Sequence, residues 1–225
     1  AAGSSSSAIN FIAVSAGSNI NPGTLGSSSA VLPGTVTLDN TFGSASGTKA
    51  SGYITASNAS TLATASIGVT MDDAIFASGH IVVNGATGGS SIAGISYSVG
   101  ITSTAGNVTF NGSATNGLGV YNLSASTITA NNITIDGTTS LAPNWATYIG
   151  TLTINTTAVG GNIPVTGNVL NAPGAAGGIY QSGIITARSG SNISFTSNND
   201  INQIGPIALA ANTSAGAANV TYDTT

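Results

Sequence analysis

The chain has 225 residues, 31 of them Gly, and only 4% are charged, against roughly 25% in an ordinary soluble domain. Lys49 and Arg188 are the only cations, too few to neutralise a phosphate backbone or to hold an anionic lipid surface, which excludes nucleic-acid binding and charge-driven membrane recruitment. With no Cys and one His the chain cannot build a disulfide, a thiolate site or a His-pair metal site, and it has no apolar run of about 18 residues to cross a membrane as a helix.

Short runs rich in β-branched residues recur from end to end, each bounded by Gly, Asn or Ser. In chain order the predicted strands are Ile9–Val14, Val36–Leu38, Tyr53–Thr55, Ile67–Met71, Ile81–Val83, Ile95–Thr102, Val108–Phe110 and Val120–Leu123. They continue with Ile128–Thr129, Ile133–Ile135, Leu152–Ile154, Ile163–Val165, Ile184–Thr186, Ile193–Phe195, Ile207–Leu209 and Val220–Tyr222. Asn132-Ile-Thr-Ile-Asp136 and Asn192-Ile-Ser-Phe-Thr196 alternate apolar and polar residues, the period-two signature of a strand with one buried face. No helix is predicted. Ala is frequent but sits among weak helix formers, Ala114–Gly119 is too rich in Gly, and Pro143 breaks Leu141–Tyr148.

An imperfect repeat runs through the chain. Segments around Gly17-Ser-Asn19, Gly106-Asn107 and Gly190-Ser-Asn192 share one order: strand, small residue, Gly, Asn, strand. Shorter echoes occur at Gly161-Asn162 and Gly167-Asn168. Such self-similarity points to an all-β parallel β-helix, a β-solenoid with inward Ile, Val and Leu, outward Thr, Ser and Asn, and glycines at positive φ in its corners. Rungs of about 20 residues would give roughly eleven coils in a single segment over 1–225. The competing fold is a β-sandwich, whose strands are also short and alternating.

The stretch Ile184-Ile-Thr-Ala-Arg188-Ser-Gly190-Ser-Asn192-Ile-Ser-Phe195-Thr-Ser-Asn198-Asn-Asp200-Ile201, with Gln203-Ile-Gly-Pro206-Ile-Ala-Leu209 after it, resembles the repeat region of filamentous-haemagglutinin-like exoproteins of the two-partner secretion class. Ser126–Gly137 has the same style. The resemblance covers about 126–225 and is diffuse before that. It implies a secreted right-handed β-helix that serves as an adhesin or fibrous surface structure. The Asn-Pro-Asn-Gly-type motif of the family's secretion domain is absent; Asn21-Pro22-Gly23 is the nearest string. The start at Ala1, with no Met or apolar leader, fits a processed chain or a piece of a longer one.

Few residues carry chemistry. Asp72-Asp73 is the only acidic pair, and adjacent strand positions point to opposite faces unless they lie in a loop. His80 lacks any nucleophile spacing and reads as a turn residue, and Trp145 reads as a loop anchor before it reads as a sugar platform. Thr-x-Thr pairs at 35/37, 102/104, 127/129 and 151/153 are too irregular for an ice-binding array. Candidate N-glycosylation sequons begin at Asn58, Asn107, Asn111, Asn122, Asn132, Asn155, Asn192, Asn212 and Asn219. Ile9, Phe11, Ile12, Val220 and Tyr222 are candidates for end-to-end stacking, because open sheet edges invite pairing.

The expectation is an extracellular, non-enzymatic structural or adhesive protein without cofactors: a stiff shaft or filament on a bacterial surface. Its expected partners are further copies of itself and glycans on host or neighbouring cells. The alternatives are a β-sandwich filament subunit with a donor strand near Ile9–Val14, and a carbohydrate-binding or carbohydrate-active β-helix.

Overall fold

A computed structural model describes residues 9–12, 36–40, 67–122, 124–140, 145–157, 161–170, 177–188, 190–203, 207–210 and 219–224. The predicted strand at Tyr53–Thr55, together with Lys49, Asn58 and Asn212, lies outside them. The strands are β1 (Ile9–Ile12), β2 (Val36–Asn40), β3 (Val69–Met71), β4 (Ile75–Ala77), β5 (Ile81–Tyr97) and β6 (Gly100–Ser103). Next come β7 (Val108–Asn122), β8 (Ser126–Ala130), β9 (Ile133–Thr139), β10 (Thr147–Ile149), β11 (Leu152–Thr156) and β12 (Asn162–Val169). The last are β13 (Gly177–Gln181), β14 (Ile185–Arg188), β15 (Asn192–Ser197), β16 (Asp200–Gln203), β17 (Ile207–Ala210) and β18 (Asn219–Thr224).

Every described strand pairing is parallel. That is the signature of a β-solenoid and not of a sandwich built from hairpins and Greek keys. The strand β1, expected by the sandwich alternative to be donated to a neighbour, pairs with β2 of its own chain.

The coil has three faces. Face A stacks β1, β2, the first half of β5, the first half of β7, β9, β12, β15 and β18 in that order. Face B stacks β3, the last residues of β5 and β7, β10, β13 and β16. Face C is a separate sheet of β4, β6, β8, β11, β14 and β17. Strands β5 and β7 run around the A–B corner unbroken, which is why those two faces form one sheet of 12 strands.

The solenoid makes far fewer turns than eleven: among the described strands face A stacks eight and face C six. Residues stacked one coil apart are separated by 27 at Asn84/Asn111, 25 at Asn107/Asn132 and 30 at Asn162/Asn192. The expected rung of about 20 residues omitted part of each coil. Strands β4, β10, β13 and β16 were not expected: β4 is only three residues long, and the other three carry Thr, Tyr, Gln or Gly in place of an Ile/Val run.

The core consists of columns. On face A, Ile81, Val108, Ile133, Ile163 and Ile193 stack in register, and beside them Val83, Phe110, Ile135, Val165 and Phe195; all are buried. Face C contributes Ile75, Ile101, Ile128, Ile154 and Ala187. Each rung therefore buries large side chains from several faces against those of the rungs above and below, which is where most of the stabilisation arises.

Glycine has a different role from the expected one. Among the described residues only Gly190 has a positive φ, at 83°. The glycine column on face A, Gly85–Gly112–Gly137–Gly167, instead marks a pinch where the two legs of the A–B corner touch. A Cβ on Gly112 would lie 2.0 Å from the carbonyl oxygen of Gly119, and one on Gly167 would lie 2.1 Å from that of Gly178. Beyond the pinch the legs form a thin flange lined by small buried residues such as Ala86, Ala93 and Ala114.

Gly112→Ala is expected to lower unfolding free energy by about 1–3 kcal/mol, the usual cost of forced overpacking. Gly100→Ala, where a Cβ meets nothing within 4 Å, is expected to be neutral or slightly stabilising. Denaturant unfolding of the two variants checks this, and equal losses would contradict the pinch.

Candidate functional site

The C–A corner carries an asparagine ladder. Asn107, Asn132, Asn162, Asn192 and Asn219 each immediately precede an Ile or Val that starts or enters face A. Asn132 Nδ2 donates to Asn107 Oδ1 at 3.1 Å, and the Asn162 backbone N–H donates to Asn132 Oδ1 at 2.9 Å. Asn192 Nδ2 donates to Asn162 Oδ1 and Asn219 Nδ2 to Asn192 Oδ1, both at 3.2 Å. A primary amide carries donors and acceptors, so it can repeat on itself indefinitely. His80 occupies the rung before Asn107 and accepts the Asn107 backbone N–H at Nδ1, at 3.1 Å. It is the exposed turn residue expected from the sequence.

This ladder explains much of the sequon count. Ladder Asn, inward Ile or Val, outward Thr or Ser spells Asn-x-Thr/Ser at Asn107, Asn132, Asn192 and Asn219. At Asn162 the third position is Pro164, and the ladder continues without a sequon. Asn111, though exposed, donates to Asn84 Oδ1 at 2.7 Å. Asn122 is fully buried, with Nδ2 donating to the Ser124 carbonyl at 2.9 Å and to Ser126 Oγ at 2.8 Å. A glycan on Asn122 is incompatible with this fold. Asn155 projects from face C and is exposed.

The acidic residues do not converge. Asp72 and Asp73 lie together in the B–C corner of the first described coil, both exposed. Asp136 accepts a hydrogen bond from Thr166 Oγ1 on the next rung. Asp39, Asp136 and Asp223 share one register column but are separated by Asn84 and Asn111, and then by Thr166 and Thr196. Among the described residues no group of three or more His, Asp or Glu comes together.

The Thr-x-Thr pairs are not a flat array. Thr127, Thr153 and Thr186 stack on face C, as do Thr102 and Thr129. The second column then passes to Asn155. Of the stacking candidates, Ile9 and Phe11 pair with Val36 and Leu38, whose register leads through Ile81 and Val83 to Val220 and Tyr222. Ile12 pairs with Asp39 and so falls in the register of the polar column, one place from the core columns. Tyr222 stacks flat on Phe195, with centroids 5.0 Å apart, and is 44% exposed.

Face B carries an aromatic surface feature. Tyr121, Tyr148 and Tyr180 occupy one outward column of face B on successive coils. Their ring centroids are 5.1 and 5.0 Å apart, and Trp145 joins Tyr180 at 4.9 Å. All four are half-buried. Trp145 lies across Gly177, where a Cβ would meet its ring at 1.3 Å, so it is anchored as expected. The tyrosine column itself went unrecognised in the sequence, because its recurrence emerges only once the true coil length is known.

One buried group is out of keeping with its site. Tyr97 points into the core against Phe110, with centroids 4.9 Å apart, and its hydroxyl has no hydrogen-bond partner. Burial pushes its pKa well above the ordinary tyrosine range.

The architecture is that of a parallel β-solenoid compatible with a β-helical repeat protein. No protein family, no curated protein and no solved structure matches the chain.

Two outcomes follow. Tyr97→Phe removes the unpartnered hydroxyl and is expected to stabilise the fold by about 1 kcal/mol or more at neutral pH. Its advantage should widen above about pH 10, where the unfolded tyrosine ionises and the buried one does not, so the native chain loses stability as pH rises. Urea melts at neutral and alkaline pH check both, and a destabilised variant at neutral pH would show that the hydroxyl is bonded. Peptide mapping of chain from its native source is expected to find Asn122 unmodified; a glycan there would contradict its burial.

Proposed function

We propose that this chain is a structural and adhesive segment of an extracellular bacterial surface protein: a stiff β-solenoid shaft or filament of the filamentous-haemagglutinin-like kind, with copies stacking end to end. The observation that carries the reading is the continuity of the core columns. From Ile9 to Val220 and from Phe11 to Tyr222, one register runs through eight parallel strands of face A. A neighbouring copy that set its Ile9 and Phe11 on Val220 and Tyr222 would continue both columns without a break. The half-exposed Tyr222, on the strand that ends the face A stack among the described residues, favours such an addition.

The work in this reading is mechanical. Stacked coils resist bending because each rung hydrogen-bonds to the next along all three faces. The residues responsible are the inward Ile, Val and Phe columns, the asparagine ladder and the glycine pinch, and no catalytic step is assigned to them. Display outside the cell and adhesion are supported by the resemblance over 126–225 and by a surface of neutral hydroxyl and amide groups.

Electron microscopy of the purified chain over a range of concentrations tests the reading. The expected result is rods whose lengths are multiples of one solenoid, shortened by Tyr222→Asp. Single particles at every concentration, or rods that persist unchanged in the variant, would overturn it.

A further inference from the structure

The aromatic column of face B is a surface that the shaft reading does not use. It runs Thr70, Ser96, Tyr121, Tyr148, Tyr180, Asn202, so three consecutive coils place a tyrosine where the flanking coils place small or polar residues. Ser96 holds the same register position one coil earlier and is buried, whereas the three tyrosines reach solvent. The strip is held firmly. Each ring leans on the next, Trp145 rests on Tyr180 and over Gly177, and Ser182 Oγ donates to Tyr148 Oη at 3.0 Å.

We infer that this strip is a docking site for an uncharged, extended polysaccharide chain. Three features of the site select that ligand class. First, the described corner residues beside the rings are Ser124, Ala125, Gly150, Thr151, Ser182 and Gly183, none of them charged, and the charge on this face near Trp145 is the carboxylate of Asp200, in register with Gly177. An anionic glycan or an acidic peptide finds no counter-charge there. Second, each coil adds one tyrosine to the strip, and its B–C border carries the hydroxyls of Ser124, Thr151 and Ser182. A protein partner needs a broader apolar core, of the kind that excludes water across a whole interface. Third, the rings repeat at the coil rise of about 4.8 Å, so the matching ligand is linear and periodic along the solenoid axis. A pyranose presents an apolar C–H face and an equatorial rim of hydroxyls. Tyrosine answers both, with a ring for the face and a hydroxyl for the rim. Rigid rings also lose little conformational entropy on binding, which favours weak but additive contacts along a chain.

The site stands whether or not copies stack end to end, since it lies on the side of the coil. It deepens the adhesive part of the proposed function by naming the ligand class. Trp145 is the only tryptophan in the chain, so intrinsic fluorescence reports on this strip alone. Titration of the purified chain with cellohexaose and chitohexaose is expected to give a saturable change in Trp145 emission with at least one of them. Tyr148→Ser, the residue the fold already accepts at Ser96, is expected to weaken binding at least ten-fold while far-UV circular dichroism and thermal unfolding stay close to those of the native chain. Tyr121→Ser provides a second variant should the first unfold. Phe76→Ala, an outward aromatic on face C, is expected to leave the titration unchanged. No saturable change with either glycan, equal binding by both Tyr→Ser variants and the native chain, or preferential binding of a sulfated heparin hexasaccharide would overturn the assignment. Rod formation in the same sample reports separately on the shaft reading.

Discussion

In a parallel, in-register solenoid every residue sits directly above and below the residues one coil away, at about 4.8 Å. Whatever occupies a position must tolerate its column neighbours at that distance. Apolar side chains do so and gain dispersion contacts, as in the Ile81-to-Ile193 column. Primary amides do so because each can donate to one neighbour and accept from the other, as at Asn107/Asn132 and from Asn162 to Asn219, the two runs being joined by the Asn162 backbone N–H on Asn132 Oδ1. Like charges cannot, because directly opposed they repel. The scarcity of charge in this chain follows from the same rule. Where carboxylates share a column, Asp39, Asp136 and Asp223 are kept apart by two neutral rungs each time.

The second constraint is how the coil closes. Three faces must enclose a core only a few side chains wide, and at the A–B corner the chain overshoots into a flange before it returns. The legs of the flange touch at Gly85/Gly94, Gly112/Gly119 and Gly167/Gly178. These glycines supply absence of bulk, not unusual dihedrals. Gly190, with φ at 83°, is the described corner that needs left-handed backbone. Coil length varies, so partners on adjacent rungs lie 22 residues apart at Ile185/Ile207, 33 at Leu152/Ile185 and 45 at Val36/Ile81.

That variability explains what the sequence disclosed and what it concealed. The alternating Ile-Thr-Ile and Ile-Ser-Phe runs identify face A strands directly, because one side is buried and the other wet. The Gly-Asn corners mark the start of those strands. The number of coils was not legible, because β10 and β13 bury Thr147 and Gln181 among their inward residues and so lack an apolar signature. The tyrosine column was hidden for the same reason. Tyr121, Tyr148 and Tyr180 are remote in sequence and become neighbours only through a coil length fixed by the irregular flange. The sequons were legible but ambiguous, since Asn-Ile-Thr is at once a glycosylation signal and the transition from corner to core to surface.

The central claim is the parallel stack with its register, and inter-strand nuclear Overhauser effects in the isotope-labelled chain test it most directly. The account predicts backbone contacts one coil apart, linking Thr109 to Thr134, Thr153 to Thr186 and Thr166 to Thr196 among others, in the staggered α-proton-to-amide pattern of parallel strands. Close α-proton-to-α-proton contacts between strands adjacent in sequence would mean antiparallel hairpins, and would contradict the solenoid together with every column derived from it.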